Sequence, residues 1–592
     1  MPNIIYYSKV IYHKIVDCVW HCSFEQEWRV MNNQKIEQLL TVSMNVTDSE
    51  RRSSPDLEVG VSPSGELWEI IVKYSSLSGD FYSDITTSFP NIQVYELLGQ
   101  YAILITPKSY INEIANKKYI EFIEKPKLIQ FEIQEEKSAS CISALQQGFD
   151  NPNKLYGTGT IVAVIDTGID AANSEFLDAQ GKTRIISAWD QDKDEYYTSD
   201  DINRMIEQGT ANMDFVGHGT QVAAIACGNS GVASKASIIV VKMGNNTKSN
   251  NSQAIHSFPR TTQLMRAIDY CIRQAGMLNM PIAINISFGN NYGSHRGDSI
   301  LETYINSVCD MWKCCICIGS GNEGLGIIHH AGILQNGKEE LVELAVGNYE
   351  TSVGIQIWKD YWEDFQVEII APTGQNLGRI SGFSRINRMQ INNNLVLSYY
   401  GEPSPYSMKQ EIYINILSEN GYITAGIWKL RLIPFRLING YYNIWLTNEN
   451  VVNSGTGFVI PDSYATFTIP STVSNAITVG AYDSYRYSYA PFSGRGWEGM
   501  QGSTSLFKPD IVAPGVEVNL GAGTYATGTS FATPFATGAA ALLMEWGIVK
   551  GNDDYLWGQK VKAYLINSAK QLPGFGNGHN PLTGWGILCV KI

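Results

Sequence analysis

Three short stretches of the 592-residue chain set an acid, a base and a hydroxyl in glycine-rich turns. They are DTGID at 166–170, GHGT at 217–220 and GTSFATP at 528–534, and they supply Asp166, His218 and Ser530. A serine hydroxyl is a weak nucleophile at neutral pH and needs an adjacent base, while the base needs a third group to fix its tautomer. An acid, an imidazole and a serine therefore point to nucleophilic acyl transfer, provided the fold brings the three turns together.

Periodicity predicts the elements that would do so. The apolar run 160–165 (TIVAVI) predicts a buried parallel strand that delivers Asp166 at its carboxyl end. Residues 220–227 predict a helix after His218, with small residues on its packing face. Residues 531–546 predict an alanine-rich helix in which Gly538 permits close contact, so Ser530 stands at a helix N-terminus. The backbone dipole there favours developing negative charge. Further strands are predicted at 237–243, 281–286, 314–319 and 475–481, with helices at 261–275 and 299–312. This alternation implies an α/β fold, a doubly wound parallel sheet whose carboxyl-edge loops carry the site.

The order Asp166, His218, Ser530, each in such a local setting, resembles the subtilases, the subtilisin-like serine proteases. The resemblance covers about 157–570 and implies a serine endopeptidase acting on a protein substrate. It also implies roles for further residues. Asn322, in the turn Ser320-Gly321-Asn322-Glu323-Gly324, would donate its side-chain amide to the oxyanion hole. Ser287, Phe288 and Gly289 would pair with an extended substrate through their backbone. Phe288 and Gly321 would line the first specificity pocket, and Glu323 at its rim would favour a basic or polar side chain.

No cofactor and no metal are implied. The second histidine of the family's HGTH is Gln221 here, and only 227–234 separate the helix from the next strand, too little for the calcium loop of bacterial subtilisins. Asp190, Asp192, Asp194 and Asp201 have EF-hand-like spacing but lack the turn glycine and the final glutamate, so a solvated acidic loop is expected.

Two segments flank or interrupt the subtilase pattern. Residues 31–135 predict a compact α+β unit, with strands at 67–74, 101–105 and 120–123 and a helix at 109–118. Its place resembles that of the family's propeptide, an intramolecular chaperone and inhibitor, with the tail 127–136 in the active-site cleft. After Asn322 the pattern resumes only at 475, following a Tyr-rich stretch. Residues 328–470 predict eight short strands, the last at 465–470, which read as an inserted jelly-roll-like β-sandwich. The expected order is thus a foreign-looking 1–30, the propeptide 31–135, a first catalytic segment 136–327, the insertion 328–470 and a second catalytic segment 471–592. Met31 is a candidate natural start, with a genuine N-terminal extension as the alternative.

This organisation resembles the clostridial Csp subtilases. That likeness implies self-processing, then cleavage of a spore-cortex lytic enzyme precursor during germination. The alternative is a catalytically silent, propeptide-locked binding or signalling protein of the same fold.

Composition agrees with several large cores: 44% of residues are hydrophobic and 17% charged. A net charge of -14 without a long basic run argues against a nucleic-acid partner. No continuous apolar run of membrane-span length and no secretory h-region is seen, so a cytoplasmic or spore-associated location is expected. The ten cysteines, four of them within 309–317, suit a reducing compartment rather than a disulfide framework. Cys18 and Cys22 with His13 and His21 match no standard zinc spacing. Oligomeric state is not legible.

Overall fold

The computed structural model describes residues 35–591 except 53, 63, 76–79, 128–129, 132–139, 143–145, 147–153, 244–258, 312, 383–385, 392, 419–420, 448–451, 454, 499–506 and 522–523. The expectations for 1–30, for Cys18 and Cys22 and for most of the 127–136 tail fall outside those residues.

At the centre is a sheet in the order Ser488–Tyr489, Ile477–Asp483, Cys314–Gly319, Ile282–Ile286, Ile161–Asp166, Ser237–Lys242, Ile185–Asp190, Glu195–Thr198, with Ile511–Pro514 added beside Ile477–Asp483. Its inner ladders are parallel and only the pairs made by Ser488–Tyr489 and Glu195–Thr198 are antiparallel. The strands IVAVID, IAINI and CCICIG are buried along their whole length, because helices cover both faces. Val162 and Val164 pack under the helices His218–Cys227 and Thr529–Met544. Ile161, Ala163 and Ile165 face the opposite pair, Thr261–Met277 and Ile300–Cys309. This is the doubly wound α/β arrangement that the alternation implied.

Thr529–Val549 is long and apolar enough to cross a membrane, although no continuous apolar run marks it in the sequence. In the fold 83% of its most apolar window is buried, as the core helix behind Ser530.

The N-terminal domain is an antiparallel sheet, ordered Gln93–Leu97, Tyr101–Pro107, Leu67–Tyr74, Ile120–Glu124. Alternation along Leu67–Tyr74 sends Trp68, Ile70 and Val72 to the domain's own core. Ile71, Ile103 and Phe122 point the other way, into the apolar cluster of the helices Thr261–Met277 and Ile300–Cys309. The domain therefore shares a core with the sheet it precedes.

The insertion holds a six-stranded and a five-stranded antiparallel sheet, more strands than the eight expected. Ile355, Ile414 and Ile444 of the first meet Leu344, Val367 and Leu430 of the second in one core. The strand expected at 465–470 is not formed. That segment is irregular and only bridges from Ile469 to Asn290, and Pro470 has no N–H to give a ladder.

Two further expectations are corrected. Cys141 and Cys589, 448 residues apart, form a disulfide, while Cys227, Cys271, Cys309, Cys314, Cys315 and Cys317 are free and buried. The acidic run is not simply solvated: Asp190 is 1% exposed, and with Asp192 it pairs with Lys242 at 3.1 and 3.2 Å. Asp194 accepts from the Trp189 indole, and Asp201 caps the helix Ser199–Glu207.

Candidate active site

Asp166 ends the strand Ile161–Asp166, fully buried, and Oδ1 accepts from Thr167 N at 2.8 Å. The same oxygen lies 2.6 Å from His218 Nδ1. A carboxylate only accepts, so Nδ1 carries the proton and Nε2 is the basic nitrogen. His218 opens its helix, and Gly219 lets the two turns touch: a Cβ there would stand 2.3 Å from Gly168 O and 3.1 Å from Asp166 Cβ. The imidazole packs edge-on against Phe531, centroids 5.3 Å apart, beside Ser530.

Ser530 is the second residue of the helix Thr529–Met544, whose N-cap is Gly528 with φ 152°. Its Oγ donates to Ser287 O at 3.2 Å. Pro534, four residues on, has no N–H to satisfy the Ser530 carbonyl. Ser287 Oγ does so instead, at 3.1 Å, and itself accepts from Asn285 Nδ2 at 2.8 Å. A buried carbonyl left without a donor would cost about 1–3 kcal/mol. Ser287 thus fixes the Ser530 helix to the strand edge through its side chain, a role that sequence reasoning missed. Pro534 at that spacing was its only signal.

Asn322 lies in the turn after Cys314–Gly319. Its Oδ1 accepts from Thr529 N at 3.0 Å and from Thr529 Oγ1 at 3.2 Å. The carboxamide oxygen is thereby committed to Thr529, and Nδ2 is the donor end of the group.

Phe288–Gly289 pairs antiparallel with Gln130–Phe131 of the N-terminal domain's tail, Phe288 opposite Phe131 and Gly289 opposite Gln130. The remaining expected pocket residues are placed differently from one another. The ring of Phe288, 2% exposed, joins the apolar cluster shared with the N-terminal domain. Gly321, with φ +93°, and Gly289 both back onto Thr468: Cβ atoms there would lie 2.8 and 2.6 Å from Thr468 Oγ1. Thr468 therefore fills the space between the two glycines, and nothing in its sequence context announces it. Glu323 is 5% exposed in the turn Glu323–Leu325, a buried carboxylate rather than the open rim charge expected.

The tail is held by polar contacts as well as by its strand. Lys127 N donates to Thr261 Oγ1 at 2.9 Å, and Ile300 N donates to Glu124 Oε2 at 3.1 Å. Lys127 also pairs with Glu124, and with Glu37 at 2.8 Å. Burial pushes the Glu37 carboxyl up, Lys127 opposing and Glu124 adding to the shift. The insertion closes over this corner: Leu39, Val42 and Leu57 pack with Leu395, Leu397, Tyr413 and Leu417.

Comparison with known proteins agrees with this arrangement. The subtilase family profile matches residues 157–421 and 448–586, more than half of the chain, and the Csp protease B prodomain profile matches 34–127. The structure is similar to the CspB protease of Clostridium perfringens, with TM-score 0.69 and 34% identity, over 76% of this chain and 94% of that one. Among curated proteins, Subtilisin-like protease 5 of Trichophyton tonsurans and its namesake in Arthroderma benhamiae are each 26% identical over 194 residues. Those matches take in 31% of this chain and span 41% of the relatives' length. The chain belongs to the subtilase family and carries a Csp-type prodomain ahead of its catalytic sheet.

Proposed function

We propose that this chain is a serine endopeptidase made as a zymogen, which cuts its own prodomain and then a protein substrate. The observation that carries the reading is the antiparallel pairing of Gln130–Phe131 with Phe288–Gly289, beside Ser530. An extended chain laid on that edge is in the pose a scissile peptide needs.

In this reading Ser530 Oγ attacks the carbonyl carbon while His218 Nε2 takes its proton. Asp166 holds Nδ1–H, fixing the tautomer and stabilising the imidazolium. The tetrahedral oxygen becomes anionic and is held by the Asn322 amide and the backbone N–H groups at the start of the Ser530 helix. Collapse breaks the C–N bond, and the imidazolium proton goes to the leaving amine. A water activated by His218 then releases the acyl group.

The finer proposal is that the substrate is the precursor of a spore-cortex lytic enzyme, as the likeness to Csp subtilases implies. The test compares wild type with Ser530→Ala, each expressed as the full chain. Wild type should yield a prodomain fragment and incorporate a fluorophosphonate, and Ser530→Ala should do neither. A Ser530→Ala chain cut at the same bond by its own purified preparation would overturn the reading.

A further inference from the structure

A carboxylate outside the triad ties together the turns that carry Asp166 and His218. Asp214 is 4% exposed and accepts five hydrogen bonds. Its Oδ1 accepts from Thr167 Oγ1 at 2.8 Å, Val216 N at 3.2 Å and Gly217 N at 2.8 Å. Its Oδ2 accepts from Thr220 N at 2.8 Å and Thr220 Oγ1 at 2.6 Å. The two hydroxyls extend the network. Thr167 Oγ1 also accepts from Gly219 N at 2.9 Å, and Thr220 Oγ1 accepts from Asp170 N at 2.9 Å.

The pattern answers a local need. Gly217, the N-cap of the helix His218–Cys227, has no side chain with which to cap the first-turn N–H groups. Asp214 and Thr167 supply the missing acceptors, for Thr220 N and Gly219 N respectively. An anionic acceptor at a helix N-terminus is also favoured by the backbone dipole. Thr167 is bonded to Asp166 through the chain, and its own N–H donates to Asp166 Oδ1 at 2.8 Å. The cap of the histidine's helix is thereby built on the turn of the triad acid. A shift of either turn must break donors to a buried carboxylate, which resists it.

We propose that Asp214, acting through Thr167, is a positioning residue that locks the Asp166 turn to the His218 turn and holds the imidazole in line with Ser530. This rests on the reading of Asp166, His218 and Ser530 as the triad. It differs from a purely structural cap because the bridging hydroxyl adjoins the acid that orients the base.

The test uses the full chain and the first-order rate of its intramolecular prodomain cleavage, followed well below each variant's melting temperature. Thr167→Val keeps the branched shape and removes the hydroxyl; Thr167→Ser keeps the hydroxyl. Asp214→Asn removes the carboxylate. Thr167→Val and Asp214→Asn should fold and cut slower by roughly 10- to 100-fold, the range in which sub-ångström to ångström misplacement acts. Thr167→Ser should cut at close to the wild-type rate. If Asp214→Asn does not fold, the decision falls on the Thr167 pair. Equal rates for Thr167→Val and Thr167→Ser, whether both fast or both slow, would overturn the proposal. A wild-type chain that cuts no faster than Ser530→Ala would overturn the protease reading and this inference with it.

Discussion

Phe131 of the N-terminal tail stands opposite Phe288, and Gln130 opposite Gly289, so the chain advances along this edge toward Ser287. Ser287 O is the acceptor of Ser530 Oγ, at 3.2 Å. The register therefore runs Gln130–Phe131 in the direction of Ser287 and Ser530.

Cleavage of the tail should fall after Phe131 and before Cys141. An antiparallel strand brings its next residues, not its earlier ones, to Ser530. Intact mass and N-terminal sequencing of the processed chain check this. A new N-terminus upstream of Gln130 would contradict the register.

Asn322→Ala should lower kcat by about 10²–10³-fold with little change in KM, the magnitude seen when a subtilisin loses its oxyanion-hole asparagine. Thr529 holds Oδ1 of Asn322 through two donors, so the carboxamide is fixed before substrate arrives. Stopped-flow assays on processed enzyme would decide. A KM effect with unchanged kcat would mean that Asn322 binds the ground state as strongly as the transition state.

Thr468→Gly should widen the crevice between Gly289 and Gly321, which the threonine side chain now fills. Selection at the residue preceding the cut should move toward larger side chains. A single methylene in such a pocket is worth about 10–200-fold in discrimination. A peptide library profiled on both enzymes reads the shift, and an unchanged ranking would place the first specificity pocket elsewhere.

Raising the pH should loosen the prodomain. Glu411 of the insertion meets Glu37, Glu124 and Lys127 at a cavity of about 50 Å³ that is also lined by Asp298, Lys409 and Tyr413. Burial pushes the Glu411 carboxyl up to about 8; Glu37 and Glu124 add to this and Lys127 opposes it. Burial pushes Asp298 the same way, as it does Glu37. A carboxyl whose pKa is higher in the assembled state than its ordinary 4.5 takes up a proton on assembly. Its contribution to stability is complete below about 4.5 and is lost as pH rises to about 8. Cut prodomain should therefore dissociate faster in mild alkali than in mild acid, and Glu411→Gln should flatten the dependence. Size-exclusion retention across that range measures it, and a slope unaffected by Glu411→Gln would exclude this carboxyl as the cause.

The sequence by itself determined the features that repeat locally. Uniformly apolar runs such as IVAVID and CCICIG announced strands covered on both sides, and the doubly wound sheet followed from their alternation with helices. The turns holding Asp166, His218 and Ser530 were legible because each needs glycine beside a reactive residue. Ile185–Asp190 escaped because its burial comes from neighbours remote in the chain, and Gln93–Leu97 because it is a largely exposed edge strand in which only Leu97 is buried. The irregular 465–470 segment carried strand-like composition, yet it is drawn to Asn290 and Ser320 rather than into a ladder of the insertion.

Only the tertiary structure decided which residues meet. Asp214 reaches Thr167 across 47 positions, Cys141 reaches Cys589 across 448, and Thr468 lies between Gly289 of a strand and Gly321 of a separate turn. Glu323 looked like a rim charge until the turn buried it. Local pattern reports how a segment exposes its own faces, and it is silent on which distant donor, acceptor or wall will fill the space beside them. The chemistry was written in three motifs; their alignment, and the chain laid across them, belongs to the packing.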